Sequence, residues 1–178
     1  GSRGVLVGCV EGGDVGAEGS VRGVVGAGRG GALIAVRASI AGAAGGGQNE
    51  IGVACSMGAA GVVYMMGGDT RQSIQAAAMA LKNTLGLVCD PVGGLVEVPC
   101  VKRNALFAVH GLTAAQRALA GVESVIPMDE IVEAMVRLGR ARPRALRETA
   151  EGGRGTPTQD PQAGRDLPRR ANHRRPER

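Results

Sequence analysis

Residues 87–101 read LVCDPVGGLVEVPCV, and this texture organises the rest of the chain. Pro91, Pro99 and the Gly93-Gly94 pair break any long helix. The stretch is therefore expected as an irregular, extended loop. Before it, Asp69 is an N-cap candidate with Gln72 at capping-box spacing, and Gly86 ends the run. Ile74, Ala77, Ala78, Leu81 and Leu85 recur there at helical spacing. After the loop, residues 102–120 read as helix and stop at Gly121, and Asp129 opens another that runs to about Arg142. Residues 143–150 are expected as a short helix with Pro143 near its start. The pattern predicts an all-α, compact helical domain with an irregular Cys-containing loop between helices.

Upstream, residues 51–68 (IGVACSMGAAGVVYMMGG) carry no charge for eighteen positions. That length touches the threshold for a membrane span. Small residues dominate, Leu is absent, and Glu50 and Asp69 bracket the run. A buried helix of a helical bundle fits better than a span. Residues 1–31 are glycine-rich without a clear period. Within them Gly26 to Gly31 match the G-x-G-x-x-G spacing of a dinucleotide site. Such a site needs a following strand that ends at an acidic residue. Residues 42–49 read GAAGGGQN, which cannot form a buried strand.

Composition agrees with close-packed helices. The 178 residues include 31 Gly, one Phe, one Tyr and no Trp. A core of Ala, Val, Leu, Ile and Met lets helix backbones approach closely. The net charge is +5, of which residues 151–178 hold +3, so the body is nearly balanced. Without aromatics to stack on bases, this is poor evidence for nucleic-acid binding. From about residue 154 Gly, Pro and Arg dominate, and a disordered basic tail is expected.

Four cysteines occur: Cys9, Cys55, Cys89 and Cys100. The chain is neither short nor Cys-dense and shows no secretory signal, so free thiols in a reducing cytoplasm are expected. Cys89 and Cys100 stand at the two ends of the loop, each within two residues of a proline. Two thiolates on a rigid loop suit an iron–sulfur centre, but two packed, inert thiols have the same spacing. Cys55 reads as a small buried residue of an apolar helix. His110 and His173 stand apart from these positions.

The residues around the cysteines add a resemblance. Residues 80–83 (ALKN), 86–92 (GLVCDPV) and 94–105 (GLVEVPCVKRNA) closely resemble the iron–sulfur-dependent bacterial L-serine dehydratases, or L-serine ammonia-lyases, in the C-terminal part of the alpha subunit or catalytic domain. Further segments fit in order: 38–42 (ASIAG), Gln48 and Glu50 through Cys55-Ser56-Met57, then 124–127 (SVIP) and 146–150 (LRETA). The resemblance covers about residues 32–158. Residues 1–6 (GSRGVL) resemble a glycine-serine-cysteine-glycine loop with Arg3 in place of the cysteine.

The resemblance implies a [4Fe–4S] cluster held by three cysteines, with one iron left open as a Lewis acid for the leaving hydroxyl of L-serine. It implies Cys89 and Cys100 as two of the ligands. The third position falls at Gly47, which has no ligand atom. It brings Asn83, Lys102, Arg103 and Asn104 forward as substrate-positioning candidates, against ordinary capping and solvation. It further implies a partial catalytic domain at 32–153, a remnant at 1–31 and a tail at 154–178. The expected partners are L-serine and a beta subunit or N-terminal domain in a homo- or hetero-oligomer, with neither nucleic acid nor membrane. The implied role is cytoplasmic serine catabolism feeding gluconeogenesis. No PLP is expected: Lys82 and Lys102 are the only lysines, and neither sits beside a phosphate cradle. Two other outcomes fit the same residues: a non-catalytic relic or subunit of the family, and a related cysteine desulfidase-type lyase.

Overall fold

Asp69 closes a reciprocal capping box. Its carboxylate accepts the Gln72 amide at 2.7 Å, and the Gln72 side chain accepts the Asp69 amide at 3.0 Å. Such local devices set the helix ends in a computed structural model that describes residues 15–89, 91–92, 100–149 and 151. In chain order the helices are α1 (Ala17–Arg37), α2 (Gly42–Gly45), α3 (Val53–Met65), α4 (Thr70–Lys82), α5 (Lys102–Leu119) and α6 (Met128–Ala141). A π-helical turn, Gln48–Gly52, leads into α3, and a 3-10 turn, Arg144–Leu146, follows α6. Among the described residues there is no strand. The expected all-α domain is what forms.

The uncharged stretch is α3, and it is the central helix, packed on α1, α4 and α5. Val62 and Val63 are fully buried, and each such side chain contributes about 1.5–3 kcal/mol on removal from water. Two hydroxyls stitch α3 to α4. Ser56 Oγ donates to the Ala77 carbonyl at 3.0 Å, and Ser73 Oγ donates to the Ala60 carbonyl at 3.2 Å. No described helix is long and apolar enough to cross a membrane.

The glycine-rich N-terminal stretch departs from its reading as a segment without period. Residues 17–37 form one continuous helix, so the division at 31/32 falls inside α1. Its periodicity is carried by glycine rather than by apolar side chains. A Cβ added at Gly23 would collide with Met65, one at Gly26 with Tyr64, and one at Gly31 would stand 2.6 Å from Met57 Cε. The backbone of α1 thus lies directly against side chains of α3. The G-x-G-x-x-G spacing at 26–31 is part of this packing face, inside a helix and not in a phosphate-binding turn.

Smaller differences have local causes. Helix α4 ends at Lys82, and a turn continues to Gly86, whose φ of 84° needs glycine. Ile74 is 49% exposed and leaves the apolar stripe, while Ala77, Ala78 and Leu81 are buried as expected. Residues 143–149 do not form the expected helix beyond the one 3-10 turn. The Arg147 side chain folds back onto the Gly139, Arg140 and Arg142 carbonyls at 3.2, 3.4 and 3.0 Å, capping the end of α6. Residues 1–14, Asp90, 93–99, Ala150 and the tail from 152 lie outside the described residues, with Cys9, the GSRGVL stretch and His173 among them.

Candidate metal centre

The two cysteines that flank the loop lie together. Cys89 and Cys100 are both buried, with their Sγ atoms 3.5 Å apart. Ile51, Leu87 and Phe107 pack around them. The third donor comes from the π-helical turn before α3. A Glu50 carboxylate oxygen and the two sulfurs all lie within 4.8 Å of one another. Glu50 Oε2 is buried and has no hydrogen-bond partner.

A glycine-rich corner holds this arrangement. Helix α2 ends at Gly46, where φ is 80°, and the chain turns into Gly47 and Gln48. The Gln48 amide donates to the Leu87 carbonyl at 3.1 Å. Buried Arg142 donates from Nη1 to the Gly45 carbonyl at 2.5 Å and to the Leu87 carbonyl at 2.9 Å. The end of α6 thereby ties the 45–48 corner to the segment entering Cys89. Gln48 adds a second tie: its Nε2 donates to the Met135 carbonyl at 2.8 Å, and its Oε1 accepts the Gly86 amide at 2.9 Å. Gly42 gives the donors room. A methyl there would stand 3.1 Å from Glu50 Oε2, 3.3 Å from Glu148 Oε2 and 3.6 Å from Cys89 Sγ.

Burial, and then the nearby Glu148 carboxylate, push the Glu50 carboxyl above its usual range. Burial, and then the hydrogen bond with Cys100, push the Cys89 thiol up to about 12. In both groups the largest cause is the cost of burying a negative charge.

The other sequence candidates spread out. Arg103 donates from Nη1 to the Val88 carbonyl at 2.7 Å, one residue before Cys89. Lys82 reaches Ser124 Oγ at 3.4 Å. Asn83 and Lys102 are exposed, and Asn104 is half-buried. His110 bonds the Ala80 carbonyl at 3.2 Å and meets Phe107 edge-on. Cys55 Sγ lies 3.1 Å from the Phe107 carbonyl, within the core between α3, α4 and α5 rather than with Cys89 and Cys100. In the sequence Glu50 stands out only as a charge bracketing the apolar run and as part of the family string, and Glu148 and Arg142 carry no assigned role. Only the Gln48-Glu50 string, already part of the resemblance, hinted at Glu50.

Comparison with known proteins decides the family. The family model described as serine dehydratase alpha chain matches residues 1–154. The chain belongs to the serine dehydratase alpha chain family. It is 55% identical over 121 residues to the probable L-serine dehydratase alpha chain of Bacillus subtilis, covering 67% of this chain and 39% of that one. It is 56% identical over 112 residues to the probable L-serine dehydratase alpha chain of Latilactobacillus sakei, covering 62% and 54%. Against the L-serine dehydratase TdcG of Escherichia coli it is 43% identical over 107 residues, covering 60% and 24%. The chain thus spans from about a quarter to about half the length of these relatives.

Among the described residues no third thiol joins Cys89 and Cys100. Gly47 has no ligand atom, and a Cβ built there faces the Val88 carbonyl oxygen at 3.0 Å and Leu87 Cγ at 3.1 Å. Cys55 is committed to the core. What converges is two thiols and one carboxylate.

Proposed function

We propose that this chain is the thiol-bearing part of an enzyme that deaminates L-serine to pyruvate and ammonia. The observation that carries the reading is the convergence of Cys89, Cys100 and Glu50 in a chain of the serine dehydratase alpha chain family. In such a reaction the Cα proton and the β-hydroxyl leave as water. The resulting aminoacrylate tautomerises to an imine, which takes up water to give pyruvate and ammonia. The cofactor of the intact family site is read as a [4Fe–4S] cluster on three thiolates, of which this chain supplies two. Arg103, anchored beside Cys89, is assigned to the substrate carboxylate, which a guanidinium can grip with two parallel hydrogen bonds. Asn83, Lys102 and Asn104 are assigned to the polar rim at the two ends of the loop. The remaining substrate contacts belong to a beta subunit or a further domain, and the enzyme works in the cytoplasm in serine catabolism.

Gly47 favours a second reading, in which the chain folds as a family member but does not turn over serine. One assay separates the two. The chain and its Gly47→Cys variant are reconstituted anaerobically with iron and sulfide, mixed with a beta subunit, and supplied with L-serine. Pyruvate from the Gly47→Cys sample, well above that from the unchanged chain, supports serine deamination at this site. No pyruvate from either sample, despite a retained cluster in the variant, supports the non-catalytic reading.

A further inference from the structure

Among the described residues the donor set differs from the one the family reading requires, and it has a coherent geometry of its own. Two thiolates on one tetrahedral zinc-type ion, with bonds of about 2.3 Å, stand roughly 3.8 Å apart. Cys89 and Cys100 Sγ are 3.5 Å apart. Thiolates that each bind a separate iron of one cluster are held further apart, by two iron–sulfur bonds and an iron–iron edge. The third donor is in place as well. Glu50 Oε2 is buried without a hydrogen-bond partner, and a Glu50 carboxylate oxygen lies within 4.8 Å of both sulfurs. Because Gly42 has no side chain, the space between Glu50, Glu148 and Cys89 stays open.

We propose that this chain binds a single zinc-type divalent ion through Cys89 Sγ, Cys100 Sγ and a Glu50 carboxylate oxygen, with a fourth position open. Two thiolates select a borderline or soft ion such as zinc or cobalt over magnesium or calcium. Binding displaces the two thiol protons to solvent and forms two metal–sulfur bonds and one metal–oxygen bond, without any redox change. Three protein ligands and one open position are the arrangement of catalytic rather than structural zinc sites. Arg142 and Gln48, which hold the corner and the Cys89 segment together, position the donors without touching the ion. The proposal uses the site assigned above but not its reaction, so each can fail alone.

Cobalt(II) is the probe. The full chain, reduced and kept anaerobic, is titrated with cobalt chloride. Saturation at one equivalent is expected, with a thiolate-to-cobalt charge-transfer band, about two protons released, and displacement of the band by zinc. Cys89→Ser and Cys100→Ser are each expected to lower the band and weaken binding by roughly a hundredfold. Glu50→Gln removes the charge of a half-buried side chain and is expected to weaken binding by roughly tenfold with helix content unchanged in circular dichroism. Cys55→Ser is expected to leave the titration unaltered. Absence of a thiolate band at a large cobalt excess overturns the proposal. So does a band that survives Cys89→Ser or is lost in Cys55→Ser, a Glu50→Gln variant that binds as tightly as the parent, or a parent chain that stably retains four irons and sulfide after reconstitution.

Discussion

The Gln48 amide donates a 3.1 Å hydrogen bond to the Leu87 carbonyl, so the residue after Gly47 is bound to the residue two before Cys89. Position 47 therefore lies against the segment that delivers the first thiol. Its backbone is ordinary right-handed helix, with φ −62° and ψ −21°, which any residue adopts. Gly47→Cys is expected to fold and to retain more iron and sulfide than the parent after anaerobic reconstitution. A Cβ there stands 3.0 Å from the Val88 carbonyl oxygen. Crowding of this kind costs roughly 1–3 kcal/mol in the metal-free protein. Iron and sulfide counts, together with urea unfolding of the metal-free chain, test both parts. Unchanged retention would show that a thiol at 47 does not reach the site.

Arg142 is the buried cation that joins the glycine corner to the Cys89 segment. Burial, and then the nearby Arg147, lower its pKa from the usual guanidinium value. Its Nη1 serves both the Gly45 and Leu87 carbonyls. Arg142→Met keeps the stem, strands the Gly45 carbonyl and leaves the Leu87 carbonyl to the Gln48 amide alone, and an unsatisfied buried acceptor costs about 1–3 kcal/mol. Chemical denaturation should show a loss of that order, and cobalt affinity should fall although no donor atom has changed. An unaltered affinity would separate the corner from the metal site.

Gly26 lets α1 pass close to Tyr64 of α3. Gly26→Ala is expected to destabilise the protein even though alanine raises helix propensity by about 1 kcal/mol at an ordinary helix position. Gly28 has open space around it, so Gly28→Ala is expected to stabilise. Opposite signs for the two variants in thermal unfolding would establish the glycine face of α1. Equal signs would refute it.

Burial pushes the Cys55 thiol up to about 12 from 9.0. At pH 8 such a thiol is ionised so rarely that alkylation should be roughly a thousandfold slower than for an exposed cysteine. The same shift has a stability sign. The unfolded chain releases this proton first, so the folded state loses stability as pH rises from 9 towards 12. Cys55→Ala should flatten that alkaline slope in urea titrations at a series of pH values. A slope of unchanged steepness would assign it elsewhere, Cys89 being the other buried thiol with a raised pKa.

The sequence by itself determined the elements whose causes are local. The Asp69–Gln72 capping box and the turns at Gly86 and Gly121 act over a few residues, so they are legible as a string. The apolar run before Asp69 was legible as a buried helix because burial on all sides requires an unbroken apolar surface. Only the tertiary structure decided the rest. Helix α1 was hidden because its packing face consists of absent side chains, and an absence has meaning only once Met57, Tyr64 and Met65 stand opposite it. Glu50 reads along the chain as one more acid at a helix start. It becomes a donor only when the π-helical turn, the Gly42–Gly47 corner and the loop ends meet around Cys89 and Cys100. A ligand set is defined by distances between residues far apart in sequence, and those distances exist only after the core of α1, α3, α4 and α5 has closed.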